Sequence, residues 1–350
     1  VTLLRGDSAV AAELPVADHA RFPWGRALGR ETLDNLLLEQ ARAAGAIVFQ
    51  PCTVQAIRGS VGAWHCEVRV LDSSALLRLH ATIVVDAHGS WEDLPSDRPR
   101  RRQARGSADL FAFKANFSGS TLPEGQISVL ALDGGYGGMV VADGGTMTLA
   151  CCIRRDRLSL LRDRAPGLSA GDAVEAWLRR ACLGVQQALH GARRDGPWLA
   201  TGPLDTGVRV DARDRIFRVG NSAGEAHPIL GEGMSMALQS AALLCSHLLG
   251  RHGPAVVPGA AVQAELQRAY AASWQREFAP RLRLAAIFAH IAMRRRGAAV
   301  LMELVRVWPG LLTQGARWGA KVRPARMADT TGIARTLPSV PEPTRASRVH

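Results

Sequence analysis

One segment, residues 215–234, limits the fold of this chain more than any other stretch of its sequence. It begins with a short apolar run, Ile216–Val219, which predicts a strand, and continues through Asn221 into a loop rich in glycine and proline. A helix then opens at Gly231-Glu232-Gly233 and extends to about Leu249. Glycines let backbone N–H groups approach a ligand closely, and the positive end of the helix dipole attracts negative charge. The segment therefore predicts a strand–loop–helix unit with an anion-attracting site where the helix begins.

Two stretches nearer the start of the chain favour an α/β fold. Residues Glu31–Ala44 predict an amphipathic helix that ends at Gly45 and is followed by a short strand, Ile47–Phe49. Residues Ala81–Asp86 predict a buried strand that ends in the polar turn Asp86-Ala87-His88-Gly89-Ser90. The apolar face of the predicted helix carries Leu33, Leu36, Leu37 and Ala41.

The middle of the chain has a β pattern and the end a helical one. Residues 110–153 contain four apolar runs separated by Gly, Asp and Ser, which predicts a mainly antiparallel sheet. Helices are expected at about residues 170–190 and 260–320, whereas residues 1–29 and 92–106 are expected to be irregular. The predicted strands of the sheet are Phe111–Phe117, Gln126–Leu132, Gly138–Val141 and Thr146–Ile153.

The net charge of +12 raises the question of an acidic partner. The basic residues are concentrated in residues 98–105 and 276–326, and neither stretch interleaves the aromatic residues of a nucleic-acid stacking platform. We therefore expect no nucleic-acid partner, while contact of the basic C-terminal segment with an acidic partner or a membrane surface stays open. No apolar run reaches membrane-spanning length, and the six cysteines include no CxxC pair. A cytoplasmic protein without a metal site is expected.

The segment 215–234 resembles the second flavin-binding motif of the para-hydroxybenzoate-hydroxylase-like flavoproteins, which include aromatic hydroxylases, flavin halogenases and geranylgeranyl reductases. Asn221 stands where that family usually has an aspartate whose carboxylate holds the ribityl chain. The resemblance implies bound FAD, reduced by NAD(P)H, with Glu232 also beside the cofactor. The residues that match the motif are Gly220, Ala223, Pro228, Gly231, Gly233 and Met234.

Three weaker elements follow the order expected for the same family. Residues 30–37 are similar to its Arg-x-x-Leu-Asp-x-x-Leu element, which implies that Arg30 lies near the cofactor, although a plain helix N-terminus explains them as well. Residues 84–90 are similar to its Asp-Ala-x-Gly element and place Asp86 and Gly89 at the cofactor; a simple strand-ending turn is the alternative. Residues 134–139 resemble a glycine-rich turn in the substrate-domain sheet of the reductase and halogenase branch, although a plain glycine-rich hairpin explains them slightly better.

The family's opening Gly-x-Gly-x-x-Gly turn does not occur in this sequence, which starts at Val1. We expect that the first part of the dinucleotide-binding unit lies upstream, although loss of the site is the alternative. The expected fold is α/β, with a Rossmann-like FAD-binding domain, incomplete at its N-terminus, and an inserted antiparallel β-sheet substrate domain. The expected boundaries are 1–105 and 200–250 for the FAD-binding domain, 106–199 for the substrate domain, 251–328 for a helical C-terminal segment and 329–350 for a disordered tail.

The resemblance implies an FAD-dependent oxidoreductase. The expected reaction is a monooxygenase-type tailoring reaction on an apolar or aromatic small molecule. A geranylgeranyl-reductase-like alkene reductase and a non-catalytic flavoprotein remnant that acts as a binding protein are the alternatives. Halogenation is disfavoured, because the paired tryptophan motif and the lysine typical of tryptophan halogenases are not evident. The sequence shows no obvious pair of acid and base side chains, as expected for an enzyme whose cofactor carries the chemistry. His227, inside the flavin loop, is a weak candidate for a catalytic side chain.

Overall fold

A computed structural model of the chain describes residues 1–16, 25–73, 75–90, 106–250 and 258–318. The predicted loop at 92–106 lies almost wholly outside these residues, as does the predicted disordered tail. The strands are β1 Thr2–Arg5, β2 Ser8–Ala11, β3 Cys52–Ser60, β4 Ala63–Val70, β5 Leu76–Ala81, β6 Val85–Asp86, β7 Leu110–Ser118, β8 Ile127–Leu132, β9 Gly135–Val141, β10 Met147–Arg154, β11 Arg193–Thr201, β12 Gly207–Val208, β13 Phe217–Arg218 and β14 Gly224–Glu225. The helices are α1 Arg30–Ala43, α2 Arg155–Asp163, α3 Ala170–Ala181, α4 Leu183–Ala188, α5 Gly233–Leu249, α6 Ala260–Ala292, α7 Arg295–Val307 and α8 Gly310–Trp318.

The largest sheet has seven strands in the order β11-β7-β10-β9-β8-β1-β2. Its pairs are antiparallel except that β1 runs parallel to β8. Along β7, alternate residues are buried, as the period of two in a strand requires. One face packs against α2, α3 and α4 around Phe117, Leu149 and Trp177, and the other face carries Tyr136 and Cys152 against α6. The sheet is therefore covered on both sides, and the mixed α/β class predicted from the sequence is confirmed.

Residues 1–29 are not irregular throughout, as the sequence suggested. Thr2–Arg5 and Ser8–Ala11 form a hairpin that extends the seven-stranded sheet, whereas the predicted boundaries grouped them with the FAD-binding domain. Leu3 and Leu4 are both buried, in core clusters on opposite faces of this sheet. Strand β1 is thus held by apolar contacts on both sides, which depend on the distant strand β8 and cannot be read from local pattern alone.

A second group of elements positions the segment singled out in the sequence. Strands β3, β4 and β5 form an antiparallel sheet, β6 pairs in parallel with β13, and β12 pairs with β14. Helix α5 follows the loop after β13 and packs against α6, with Phe217, Tyr270 and Trp274 in the shared core. The ends of β6 and β13 and the start of α5 therefore lie in one region.

The predicted helix at 31–44 is present as α1, but its apolar face is not buried. Leu36 and Leu37 are 49% and 43% exposed, and within the described ranges no element packs against them closely enough to bury them. The strand predicted at Ile47–Phe49 is wrong, since residues 46–50 pair with no described strand. A short apolar run becomes a strand only where a neighbour accepts its backbone hydrogen bonds.

The C-terminal part is helical, as predicted. Helix α6 continues through Pro280, and α7 and α8 follow it. Helix α7 packs Ala298, Met302 and Val305 against the β1–β8 part of the large sheet. Of the helices in the described residues, none is both long and apolar enough to cross a membrane.

Candidate active and cofactor site

The loop between β13 and α5 takes the backbone shape that its glycines allow. Gly220 and Gly231 have φ angles of +60° and +63°, a region that glycine enters without strain. The Gly220 amide donates a 2.7 Å hydrogen bond to Ser240 Oγ of α5, and a β-carbon at Gly220 would lie 3.4 Å from that of Ala237. The loop is therefore tied to the helix that follows it; the positive φ angles explain both glycines, and packing against Ala237 further restricts Gly220.

The N-terminus of α5 is open. Glu232 precedes the helix without a side-chain cap, and the first turn contains no acidic residue. A β-carbon added to Gly233 would meet no heavy atom within 4 Å, and Met234 next to it is exposed. Because the first N–H groups of a helix have no partner inside it, this end offers hydrogen-bond donors to a ligand, while the buried acidic side chain of Glu232 at the N-cap lies against the positive end of the dipole. The predicted strand–loop–helix unit is present.

Asp86 lies directly beside this loop. Its backbone oxygen accepts a 2.9 Å hydrogen bond from the Val219 amide and a 2.7 Å hydrogen bond from Ser222 Oγ. Its carboxylate Oδ1 contacts the ring of His88, while the buried Oδ2 has no hydrogen-bond partner within the described residues. Gly89 follows with φ of +94°. The structure thus brings the Asp-Ala-x-Gly element and the 215–234 segment together, and it leaves one buried carboxylate oxygen for which the described residues supply no donor.

The loop is anchored from the side by Arg209. Its guanidinium donates to the backbone oxygens of Asn221 and Asp205 and forms a 2.8 Å ion pair with Glu225. Both side chains of the pair are almost fully buried, with 9% and 7% exposed. Burial raises the pKa of Glu225 above its ordinary value, although the Arg209 charge opposes that shift. Arg209 therefore fixes the backbone at Asn221, the position where the related motif usually has aspartate.

His227 faces the large sheet rather than solvent. The Tyr136 hydroxyl on β9 lies 3.4 Å from Nδ1 of His227, and the Thr206 hydroxyl lies 3.2 Å from Nε2. Burial, with a smaller contribution from the charge of His290, lowers the pKa of His227. Burial also raises the pKa of the Tyr136 hydroxyl well above its ordinary value. At neutral pH the pair is an uncharged imidazole beside a protonated phenol, where the loop between β13 and α5 meets the large sheet.

Arg30 takes a different position from the other predicted residues. Its guanidinium makes a two-point ion pair with Asp34, at 3.1 and 2.9 Å, on the exposed surface of α1. The start of α1 is instead held by Asp143, whose carboxylate accepts from the Gly29 amide and, at 2.9 Å, from the Thr32 hydroxyl. The Gly29 hydrogen bond is the main reason that the pKa of Asp143 is lowered. The contacts of Arg30 in the structure therefore do not link it to the 215–234 segment.

Of residues 134–139, only Gly134 belongs to a turn, which it forms with Asp133 to join β8 and β9 as a hairpin. Gly135–Val141 is strand β9, so the expected turn is shorter than the glycine run suggested and is that of a plain hairpin. A β-carbon at Gly135 would lie 2.6 Å from the Cys152 carbonyl oxygen, and one at Gly137 would lie 2.7 Å from that of Ala150. These glycines allow the β10 backbone to approach closely, and Tyr136 between them points to His227.

Sequence reasoning missed Arg209, Thr206 and Asp143, and it noted Tyr136 only as part of a turn. Tyr136 and Asp143 contact partners far away in the chain, 91 and at least 111 positions distant, whereas Thr206 contacts His227 across 21 positions and Arg209 contacts Asn221 and Glu225 across 12 and 16. The one local signal was a tyrosine enclosed by glycines in a strand region, where glycine often marks a close backbone approach.

No family model matches this sequence, and no functionally characterised protein matches it in a sequence search. Solved structures do match. The flavin-dependent halogenase CmlS is similar with a TM-score of 0.56 and 20% identity over 79% of this chain and 50% of its own. The myxobacterial chondrochloren halogenase CndH, described as a new variant of FAD-dependent halogenases, has a TM-score of 0.64 and 16% identity over 90% of this chain and 74% of its own.

PqsL from Pseudomonas aeruginosa, described as a probable FAD-dependent monooxygenase, has a TM-score of 0.50 and 18% identity over 78% of this chain and 72% of its own. The fold is that of FAD-dependent halogenases and monooxygenases. The resemblance drawn from the sequence is thereby confirmed at the level of the fold. The chain spans half the length of CmlS and about three quarters of the length of CndH.

Proposed function

We propose that this chain belongs to an FAD-dependent oxidoreductase of the monooxygenase type, which uses NAD(P)H and acts on an apolar or aromatic small molecule. The observation that carries the proposal is the open N-terminus of α5, where Gly233 leaves room for a ligand and no acidic residue occupies the first turn. The likeness of the fold to FAD-dependent enzymes supports it.

The residues fit a flavin in three respects. The α5 N-terminus favours the negative charge that a flavin ring gains on reduction. The unpaired Oδ2 of Asp86 can accept a hydrogen bond from a hydroxyl group of the cofactor. Gly220, Asn221, Pro228, Gly231 and Met234 line the same loop, and Pro228 and Met234 are exposed to a ligand. We assign these residues, with Gly89, Glu232 and Gly233, to cofactor binding. Arg30 would contact the cofactor only if its guanidinium broke the ion pair with Asp34.

When bound, FAD would supply the redox chemistry, namely acceptance of hydride from NAD(P)H and activation of oxygen. The chain's own side chains then shape the space next to the loop. Tyr136, Cys152, Met293 and Ala289 of α6 are buried together there, in an apolar cluster against which Ile229 of the loop packs. An apolar cluster of this kind keeps water out of the adjoining space, which suits a substrate with an apolar body. His227 and Tyr136 would position a polar group of that substrate.

An alkene reductase is the second candidate, and the Tyr136 hydroxyl favours it. Reduction of a carbon–carbon double bond needs a proton for one carbon in addition to the hydride. Tyr136 carries a proton at neutral pH and lies 3.4 Å from Nδ1 of His227; delivery of that proton would require the substrate complex to lower the pKa that burial raises. Oxygen consumption coupled to NAD(P)H oxidation distinguishes the two: a monooxygenase consumes oxygen with its substrate, whereas the reductase needs none.

The cofactor assignment is tested by the visible absorption spectrum of protein produced from its complete coding sequence. We expect a bound-flavin spectrum that is lost in Gly233→Trp, because the indole fills the space at the start of α5. Gly259→Trp is the matched control: Gly259 also adjoins a helix N-terminus, that of α6, and has no neighbour within 4 Å. A folded protein that stays colourless with added FAD would refute the proposal and favour the non-catalytic binding protein.

A further inference from the structure

We propose that a second site, which Met293 helps to line, binds a phosphoryl group. A cavity of about 760 Å³ opens there between the start of α2 and the start of α7. We call it the arginine cleft, and this proposal does not depend on the flavin assignment. The basic residues that line it are Arg154, Arg157, His290, Arg294, Arg295 and Arg296.

The positive charge of the arginine cleft is only partly balanced. Arg154 is paired with Asp156, and Arg157 approaches the exposed carboxylate of Asp133 to 3.9 Å. Within the described part of the chain, no ion pair involves residues 294–296, and their side chains are exposed. Both acidic residues of the cleft thus face Arg154 and Arg157, and three adjacent guanidinium groups remain for another anion.

The backbone adds to this excess of positive charge. Helix α7 begins at Arg295, has no side-chain cap and has no acidic residue in its first turn. The positive end of its dipole therefore coincides with three arginines, an arrangement that is unfavourable without an anion. Helix α2, which begins on the other side of the cleft, carries Asp156 in its first turn and so lacks this imbalance. The contrast between the two helix ends points to a ligand at α7.

A phosphoryl group fits this arrangement better than a single carboxylate does. Arginine binds phosphate oxygens in a two-point geometry, and free N–H groups at a helix N-terminus add further donors. The volume of the cleft exceeds that of phosphate alone, and Leu160 and Ile291 present partly exposed apolar side chains at its lining. The ligand is therefore a phosphorylated molecule with an apolar part, either a soluble phosphate compound or the headgroup of an anionic lipid.

The test is calorimetric titration of the whole protein with pyrophosphate at low ionic strength. We expect saturable binding that weakens at least about tenfold in the double variant R295Q/R296Q, the effect of losing one hydrogen bond to a charged group. The control is R193Q/R213Q, which removes the same charge from two side chains that are 84% exposed and outside the cleft. Because the substituted side chains are exposed, both variants should keep the far-ultraviolet circular dichroism of the parent.

Two results would overturn the proposal: no saturable binding of pyrophosphate by the parent, or equal weakening in both double variants. Sedimentation with phosphatidate vesicles, compared with phosphatidylcholine vesicles, separates the two sources of the phosphoryl group. Selective sedimentation with phosphatidate that R295Q/R296Q abolishes supports a lipid headgroup. Pyrophosphate binding that those variants weaken, without sedimentation, supports a soluble phosphate compound.

Discussion

Replacement of Arg209 by methionine should strongly destabilise the loop between β13 and α5. Arg209 holds the Glu225 carboxylate at 2.8 Å in a region where both side chains are nearly inaccessible to water. Methionine keeps the apolar stem and removes the guanidinium. The substitution leaves Glu225 buried without its partner, and it releases the backbone oxygens of Asn221 and Asp205.

The size of the effect follows from this geometry. At 2.8 Å and an effective dielectric constant of about 20, the attraction between the two charges is about 6 kcal/mol, part of which offsets their desolvation. Removing one partner of such a buried pair costs about 3–5 kcal/mol, and we expect a decrease of that size in the free energy of unfolding. The double variant R209M/E225Q should recover at least about 2 kcal/mol of it, because a neutral amide has no charge to desolvate.

The loss should also depend on pH. The pKa of Glu225 is already raised by burial, and removal of the arginine raises it further. A folded-state pKa above the unfolded value means that the folded variant binds the proton more tightly. Its stability is therefore retained below about pH 4.5 and falls as pH rises through the folded pKa.

The assay is urea unfolding followed by tryptophan fluorescence, since the fully buried Trp274 lies in the core that packs on this loop. A cost below about 1 kcal/mol for R209M would refute the reasoning, as would a double variant no more stable than the single one. Loss of flavin binding in R209M with unchanged unfolding would assign Arg209 to the ligand rather than to the loop.

The remaining predictions concern packing and pH. Gly224→Ala should lower the free energy of unfolding by about 1–3 kcal/mol, because its β-carbon would lie 2.3 Å from the indole of Trp274. Thermal melts measure the loss, with Gly233→Ala as the control, because a β-carbon at Gly233 meets no neighbour within 4 Å. An equal loss of stability in both variants would contradict the packing argument. The pKa of His227 is lowered by burial, so the unfolded chain takes up the proton first and stability should fall as pH decreases through about 6.5. His227→Gln should flatten this part of the stability profile between pH 7 and pH 5, and an unchanged slope would exclude His227 as its source.

The local sequence was sufficient to predict structure where a backbone conformation requires a particular residue type, such as glycine at a positive φ angle. The strand–loop–helix unit at 216–249 could be predicted because Gly220 and Gly231 permit positive φ angles and the apolar run that follows has helical length. The seven-stranded sheet was partly predictable because residues of β7 and β10 alternate between buried and more exposed positions, a pattern visible in the local sequence. Its strand order was not predictable, because β7 pairs with β11 and β1 pairs with β8, which are distant in the chain.

Tertiary structure decided the rest. No local pattern distinguishes an exposed apolar helix face at Leu36 and Leu37 from a buried one, or an isolated apolar run at Ile47 from a paired strand. The same holds for the place of Tyr136 beside His227. The sequence by itself determined that the chain can form a strand–loop–helix unit with an open helix end. Which side chains surround that end depended on long-range burial, because the free energy of such contacts comes from neighbours that only the folded chain brings together.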